Sequence, residues 1–258
     1  MTGAPDFLIT PPRATKPRQA GLTHVLDKAS PISALEAHLV QCGEIIDFVK
    51  LGWGLGYLDP HIAERVETCR RHGVVLVTGG TFLEIAAQQN RVEEFRDWAL
   101  AQGITAVEVS NGLNLLDRDT KQKLITRLSA DFVVLAETGS KDYSTVADPA
   151  AWAREMAGDL AAGASWVIAE GRESGTAGLY RQDGSIRDSL VDIVVSQVDP
   201  SAIIFEAPRS SQQLWLIQHL GPDVGLGNIE LAEVPSVESL RLGLRADTAL
   251  DQLQGGRS

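Results

Sequence analysis

The strongest constraint on the fold of this chain is a regular alternation of short apolar runs with longer amphipathic segments, repeated eight times. This pattern is typical of parallel strands joined by crossover helices. The predicted strands are residues 22–27, 46–51, 74–77, 106–109, 132–136, 166–169, 202–205 and 224–226. Eight such units in 258 residues match the roughly 250 residues of a typical closed barrel, so we predict an α/β fold, a single-domain (β/α)8 TIM barrel.

The competing architecture is an open doubly wound sheet, which usually carries a glycine-rich nucleotide loop after its first strand. Here the first predicted strand ends in Asp-Lys-Ala-Ser, which favours the barrel. Residues 1–20 are rich in Pro, Arg and Lys and predict an N-terminal arm running over the barrel. The barrel domain is then residues 21–252, with a flexible tail at 253–258. Asp59 and Pro60 predict a helix start, as cap and first helical residue.

Charge and composition limit the partners of the chain. A formal net charge of −11 repels nucleic acid phosphates and anionic lipid, so neither is an expected partner, and an anionic substrate needs local cations. The N-terminus lacks the apolar run of a signal peptide, and no segment approaches 18 consecutive apolar residues, so we expect a cytoplasmic protein without membrane spans. Cys42 and Cys69 lie 27 residues apart and are interpreted as reduced, structural cysteines.

Four predicted strands end in or just before a glutamate: Glu108, Glu137, Glu170 and Glu206. Any one such residue is commonly a helix cap or half of an ion pair. Barrel closure, however, brings all C-terminal strand ends to one rim, and four carboxylates there would repel one another unless a cation or paired bases lie between them. Oxygen ligands favour Mg²⁺, and zinc is disfavoured because these motifs contain no His or Cys.

Basic residues also lie at or just after predicted strand ends: Lys28, Lys50, Lys141 and Arg172. Ammonium and guanidinium groups suit phosphate or carboxylate, so the rim predicts a small anionic substrate. Two further residues remain open at this stage. His24 is either a core histidine or a base, and Trp53 either closes the pocket or packs on its rim.

Seven motifs at these strand ends, taken together and in order, resemble those of the phosphosulfolactate synthase family. They are DFVKLGWG, VTGGTFLE, VEVSNG, ETGSK, EGRESG, IFEAP followed by Gln212 and Gln213, and GLGNI. The resemblance extends over residues 21–229. It implies a Mg²⁺-dependent addition of sulfite to phosphoenolpyruvate that gives 2-phospho-3-sulfolactate, a precursor of coenzyme M in organisms that make it.

The resemblance and the rim together define the candidate site residues. The candidate catalytic residues are Lys50, Lys141 and Glu108. The candidate metal ligands are Glu137, Glu170 and Glu206. The candidate substrate-binding residues are Lys28, Arg172, Ser174, Gly175, Arg209, Gly227 and Asn228. The chain departs from the family pattern in having Leu55 where the family has Thr, and Arg209-Ser210 where a Lys is expected.

These departures put the nucleophile and the acceptor in question more than the fold. The alternatives are a related barrel enzyme that adds a different nucleophile to phosphoenolpyruvate, one that performs enolate chemistry on another small phosphorylated acid, and a non-catalytic stress-associated homologue. Retention of the charged rim argues against the last of these. The sequence leaves open whether the chain forms a homo-oligomer.

Overall fold

A computed structural model describes residues 5, 7–139 and 148–249. It contains eight parallel strands, each hydrogen-bonded to the next, and β8 pairs with β1 to close the barrel. The predicted (β/α)8 barrel is therefore confirmed. The strands are β1 Thr23–Asp27, β2 Phe48–Leu51, β3 Val75–Thr78, β4 Ala106–Val109, β5 Val133–Thr138, β6 Trp166–Ala169, β7 Ile203–Glu206 and β8 Gly225–Ile229.

α-Helices surround the strands, and the chain is also helical at residues 246–249, where the described part ends. The surrounding helices are α1 Ile32–Cys42, α2 Leu55–Leu58, α3 Ile62–Arg71, α4 Gly80–Gln88, α5 Val92–Ala101, α6 Arg118–Leu128, α7 Pro149–Ala161, α8 Asp188–Gln197, α9 Ser210–Leu220 and α10 Val234–Arg241. The connection from β3 to β4 holds two helices, because Asn90 adopts a left-handed conformation (φ 57°) that ends the first of them.

Several predicted boundaries differ from the structure by one to three residues, and three of the differences bear on the site. Helix α3 begins at Ile62 and is preceded by His61, because Asp59 accepts hydrogen bonds from the His61 N–H and the Arg65 side chain instead of capping a helix at Pro60. Strand β5 continues through Glu137 and Thr138, and β8 continues to Ile229. These polar ends were read as loop, but barrel pairing extends over them.

The barrel interior has two layers of opposite chemistry. The half nearest the N-terminal strand ends, here the lower half, is an apolar cluster of Leu22, Phe48, Val77, Ala106, Leu135, Ile168 and Ile204. The half nearest the C-terminal strand ends, here the upper half, holds Lys50 and four buried glutamates. A larger apolar core lies between the barrel and the helices. The carboxyl ends of the strands therefore converge on one polar cavity.

Residues 10–18 run across the N-terminal end of the barrel. Lys16 donates hydrogen bonds to the carbonyls of Gly43 (2.7 Å) and Gly73 (2.8 Å), and Arg18 pairs with Asp47 at 3.0 Å. Burial is the main cause that lowers the pKa of Lys16 to about 8. The tail predicted at residues 253–258 lies outside the described residues. Within the described ranges, no helix has the length and apolar character needed to span a membrane.

Candidate active site

A cavity opens at the C-terminal end of the barrel. Its lining residues among those described are Leu26, Lys50, Trp53, Gly80, Thr81, Glu108, Glu137, Glu170, Arg172, Glu173, Glu206 and Asn228. Five of these side chains are carboxylates and two are cations, so the lining carries a net negative charge when all are ionised. The free volume is about 30 Å³, which is room for one ion or one water molecule among the side chains.

Lys50 lies at the centre of the carboxylates. Its Nζ is 2.9 Å from Glu108 Oε2, 3.0 Å from Glu206 Oε1 and 4.0 Å from Glu137 Oε2. Burial by itself would lower the pKa of Lys50, but the three glutamates together raise it well above its ordinary value. Lys50 is therefore an ammonium ion held by carboxylates that come from β4, β5 and β7.

Glu108 and Glu206 are fixed by the backbone as well as by Lys50. Glu108 Oε1 accepts a hydrogen bond of 2.8 Å from the N–H of Gly80 at the start of α4. Glu206 Oε2 accepts one of 3.0 Å from the N–H of Gly171. Burial opposes ionisation of Glu206, but Lys50 and the Gly171 N–H outweigh it, so the pKa of Glu206 lies below its ordinary value. Glu206 is therefore held as a carboxylate in a buried setting, and the backbone fixes the position of both side chains.

Three of the six non-glycine residues in the left-handed region among the described residues line the cavity. They are Trp53 (φ 51°), Arg172 (φ 60°) and Asn228 (φ 53°). Such conformations are unfavourable and persist at functional sites when the surroundings enforce them. The clustering therefore identifies this end of the barrel as the functional end independently of its charge.

A β-bulge directs Asn228 into the cavity. Thr23 pairs with Leu226 and Val25 with Ile229, so the single residue His24 lies opposite both Gly227 and Asn228. An extra residue of this kind re-aims a side chain. The Asn228 amide oxygen is buried and accepts no hydrogen bond from the described residues. It is an oxygen donor available to a cation or to a substrate group.

Seven of the sequence-predicted site residues line this one cavity: Lys50, Glu108, Glu137, Glu170, Arg172, Glu206 and Asn228. Lys141 lies outside the described residues.

The other predicted binding residues are not in the cavity lining. Lys28 is half-exposed, 3.6 Å from Glu230. The side chain of Arg209 donates to the carbonyl of Ser174, and the carbonyl of Gly175 accepts from Gln212. Gly227 faces His24 and Ile204 inside the barrel.

His24 is a core residue on β1 beneath the cavity. Neither ring nitrogen has a hydrogen-bond partner among the described residues, and burial is the main cause that lowers its pKa to about 3. Of the two roles that the sequence left open for His24, the structure favours the core histidine, because the side chain is fully buried and does not line the cavity. Trp53 lines the cavity and is also 42% exposed at its rim, so it takes part in both of the roles left open for it.

Sequence reasoning missed a layer of polar residues outside the barrel that holds the strand ends. The Lys121 ammonium is buried and donates bonds of 2.7 Å to the Glu137 carbonyl, to Glu155 and to Asp159. Lys121 occupies the first position of the buried stripe of α6, with Ile125 and Leu128 four and seven residues later. A lysine in an apolar helical stripe was the signal that could have revealed it.

Comparison with known proteins confirms the family that the strand-end motifs resemble. Residues 11–247 match the model of the family described as (2R)-phospho-3-sulfolactate synthase (ComA). The chain belongs to the phosphosulfolactate synthase family. The phosphosulfolactate synthase of Bacillus subtilis (strain 168) is 37% identical over 247 residues, which are 94% of this chain and 98% of that protein. The phosphosulfolactate synthase of Methanothermobacter thermautotrophicus is 40% identical over 250 residues, 94% of this chain and 96% of that protein.

Solved structures of other barrel enzymes share the fold at low sequence identity. Phosphonopyruvate hydrolase in complex with oxalate and Mg²⁺ superposes with a TM-score of 0.52 at 15% identity, covering 91% of this chain and 83% of that one. The carboxyl transferase domain of Rhizobium etli pyruvate carboxylase gives a TM-score of 0.55 at 13% identity, covering 90% of this chain and 46% of that one. These likenesses concern the barrel alone. Membership of the phosphosulfolactate synthase family makes this chain an enzyme.

Proposed function

We propose that the protein catalyses the Mg²⁺-dependent addition of sulfite to phosphoenolpyruvate, forming 2-phospho-3-sulfolactate. The observation that carries this proposal is the ring of four buried glutamates with Lys50 at its centre, joined by the buried amide oxygen of Asn228. Family membership supports the reaction class, because relatives at 37% and 40% identity bear the name phosphosulfolactate synthase.

The oxygen ligands that line the cavity are of the type that a hard divalent cation prefers, but the described residues contain no preformed group of three acidic, His or Cys side chains able to hold a metal ion, so substrate oxygens would have to complete its coordination. Glu137, Glu170 and Glu206 offer carboxylate oxygens around a space of about 30 Å³, and Asn228 adds a neutral oxygen. Mg²⁺ prefers oxygen ligands and is commonly bound by one or two carboxylates together with substrate oxygens. When bound, the ion supplies a positive charge that stabilises negative charge on the substrate carboxylate. No thiolate or imidazole lines the cavity among the described residues, and this donor set is unsuited to a soft metal.

The side chains of this chain account for binding and proton transfer. Arg172 lies at the mouth of the cavity, where its guanidinium suits the phosphate of an enol phosphate. Sulfite forms its carbon–sulfur bond at the terminal methylene, the carbon–carbon π pair moves toward the carboxylate, and a proton is then delivered to the adjacent carbon. A lysine ammonium is the donor we propose, either Lys50 from below or Lys141 from the segment after β5.

The experiment is a turnover assay with phosphoenolpyruvate, sulfite and a panel of metal ions, with the product identified by mass. We expect loss of phosphoenolpyruvate absorbance that requires sulfite, disappears in excess EDTA and returns with Mg²⁺ or Mn²⁺ better than with Zn²⁺. Circular dichroism in EDTA serves as the control for an intact fold. Full turnover in EDTA would remove the metal from the proposal. Turnover with another nucleophile but not with sulfite would instead establish a related barrel activity.

A further inference from the structure

An apolar groove lies beside the cavity on the outside of the barrel, between α2, α4 and α5. We call it the aromatic groove; its principal lining residues are Trp53, Tyr57, Leu58, Phe82, Phe95 and Trp98. It has a volume of about 820 Å³, and Phe82 makes edge-to-face contacts with Tyr57, Phe95 and Trp98. Tyr57 is 78% exposed and Leu58 70% exposed. Contiguous apolar surface of this kind is typical of an interaction site.

A second unpartnered apolar feature lies on the N-terminal arm. Residues 7–9, here the arm tip, are Phe7, Leu8 and Ile9, and their exposed fractions are 78%, 52% and 103%. Exposing three consecutive large apolar side chains to water is unfavourable. Full burial of each one would release on the order of 1.5–3 kcal/mol of free energy. Within the part of the chain that the structure describes, the arm tip leaves three large apolar side chains exposed.

In its own chain, the arm tip begins at the end of the barrel opposite to the Leu58 end of the aromatic groove. Thr10, directly after the arm tip, lines a cavity with Glu44 and His72 at the N-terminal end of the barrel. Leu58 lies at the opposite end of α3, whose 10 residues rise about 15 Å. Phe7 precedes Thr10 by three residues, which span at most about 11 Å when extended. An arm tip that reaches the Leu58 end of the groove would therefore have to come from a second copy of the chain.

Charge favours the same occupant. The chain carries a net charge of −11, so most faces of two copies repel each other. Residues 7–12, Phe-Leu-Ile-Thr-Pro-Pro, carry no charge. The two charged side chains among the groove lining, Arg91 and Glu94, form an ion pair with each other. The arm tip and the aromatic groove are therefore two uncharged surfaces through which this acidic chain can associate with itself.

We infer that the arm tip of one copy docks in the aromatic groove of a second copy, in a closed exchange where every copy both gives and receives an arm. A single arm of three side chains is small against the roughly 1,200 Å² at which specific interfaces begin, so reciprocal exchange, which multiplies the contact, is the arrangement we assign. Because Trp53 lines both the aromatic groove and the catalytic cavity, the arm of one copy then packs against a wall of its neighbour's active site.

The first test is the oligomeric state of the purified full-length chain by light scattering. We expect the wild-type chain to form an oligomer. The double variant Phe7→Ser, Ile9→Ser should raise its dissociation constant at least about tenfold, because apolar anchors dominate such interfaces. The double variant Tyr57→Ser, Leu58→Ser should raise it by a similar factor. The matched control is Val40→Ser, which removes an equally exposed side chain (71%) on α1 away from both features. Unchanged thermal unfolding verifies that each variant folds.

The second test traps the contact itself. Ile9→Cys in one preparation and Leu58→Cys in another are mixed and oxidised, and Cys42 and Cys69 remain buried. A disulfide between the two different chains is the expected product. A monomeric wild-type chain would overturn the inference. So would an assembly that the groove variant disrupts and the arm variant does not, because another surface would then cover the groove. A cross-link within single chains carrying both cysteines at high dilution would show that the arm reaches its own groove.

Discussion

The two halves of the barrel interior use the same eight strands for opposite purposes. The lower half is filled by residues such as Phe48, Leu135 and Ile168, which release free energy when they leave water. The upper half buries four glutamates, three of which lie within 4.0 Å of Lys50, and taking charged groups out of water costs free energy that the attraction between Lys50 and the glutamates offsets only in part. The comparison indicates that the lower half stabilises the fold while the upper half is maintained for chemistry.

The largest expected effect comes from Lys50→Met in the upper half. Removing the ammonium takes away the cation that binds Glu108 and Glu206, so we expect kcat to fall by about 10² to 10⁴, as for the loss of a general acid. Steady-state kinetics with the proposed substrates measures the effect. Lys28→Met is the matched control, because that lysine is half-exposed and pairs with Glu230 outside the cavity. Wild-type rates in Lys50→Met would refute the cationic centre of the site.

A core substitution in the lower half is expected to give the opposite result. Leu135→Ala leaves a cavity in a fully buried layer, which costs about 2–5 kcal/mol of unfolding free energy. The kcat per folded molecule is expected to remain within about twofold, because catalytic effects larger than this require a change at the reacting groups. Denaturant unfolding measures the loss of unfolding free energy, and kinetics with titrated active enzyme measures the kcat per folded molecule. A large fall in kcat per folded molecule together with the fall in unfolding free energy would contradict this prediction, because it would show that the two layers are coupled.

The smallest expected effect lies at the arm beneath the lower half. Burial lowers the folded-state pKa of Lys16 to about 8, below the unfolded value of about 10.4. The cost of the buried charge is therefore fully present below pH 8 and is relieved as the pH rises from about 8 to about 10.4, so this lysine makes folding more favourable over that range. The unfolding free energy of wild type relative to Lys16→Met should increase between pH 7 and 10.

The control for this prediction is Lys123→Met, which removes an exposed lysine on α6 and leaves the arm intact. Its difference from wild type should stay constant over the same pH range. A constant difference for Lys16→Met as well would mean that Lys16 is not desolvated by its contacts with Gly43 and Gly73.

The candidate site could be predicted only in part. Lys50, Glu108, Glu137 and Glu206 were found because strand ends of a barrel share one rim, so position along the chain implies position in space. The polar ends of β5 and β8 were assigned to loops, because apolar patterning stops where the cavity begins. Asn228 was found as a motif residue, but the bulge that turns its side chain inward depends on the pairing of β8 with β1 and has no sequence signature.

What the sequence determined by itself is the barrel and the chemistry of its rim. Eight alternations of apolar and amphipathic segments select the barrel, because each strand must bury both faces and each helix one. The tertiary structure alone decided which rim residues meet. Lys28 and Arg209 have the same charge as Lys50 and also lie near strand ends. Lys28 nevertheless pairs with Glu230, and Arg209 donates a hydrogen bond to the carbonyl of Ser174. The physical reason is the direction in which each side chain points. Strand twist and loop conformation set that direction, and neither can be derived from residue type or spacing.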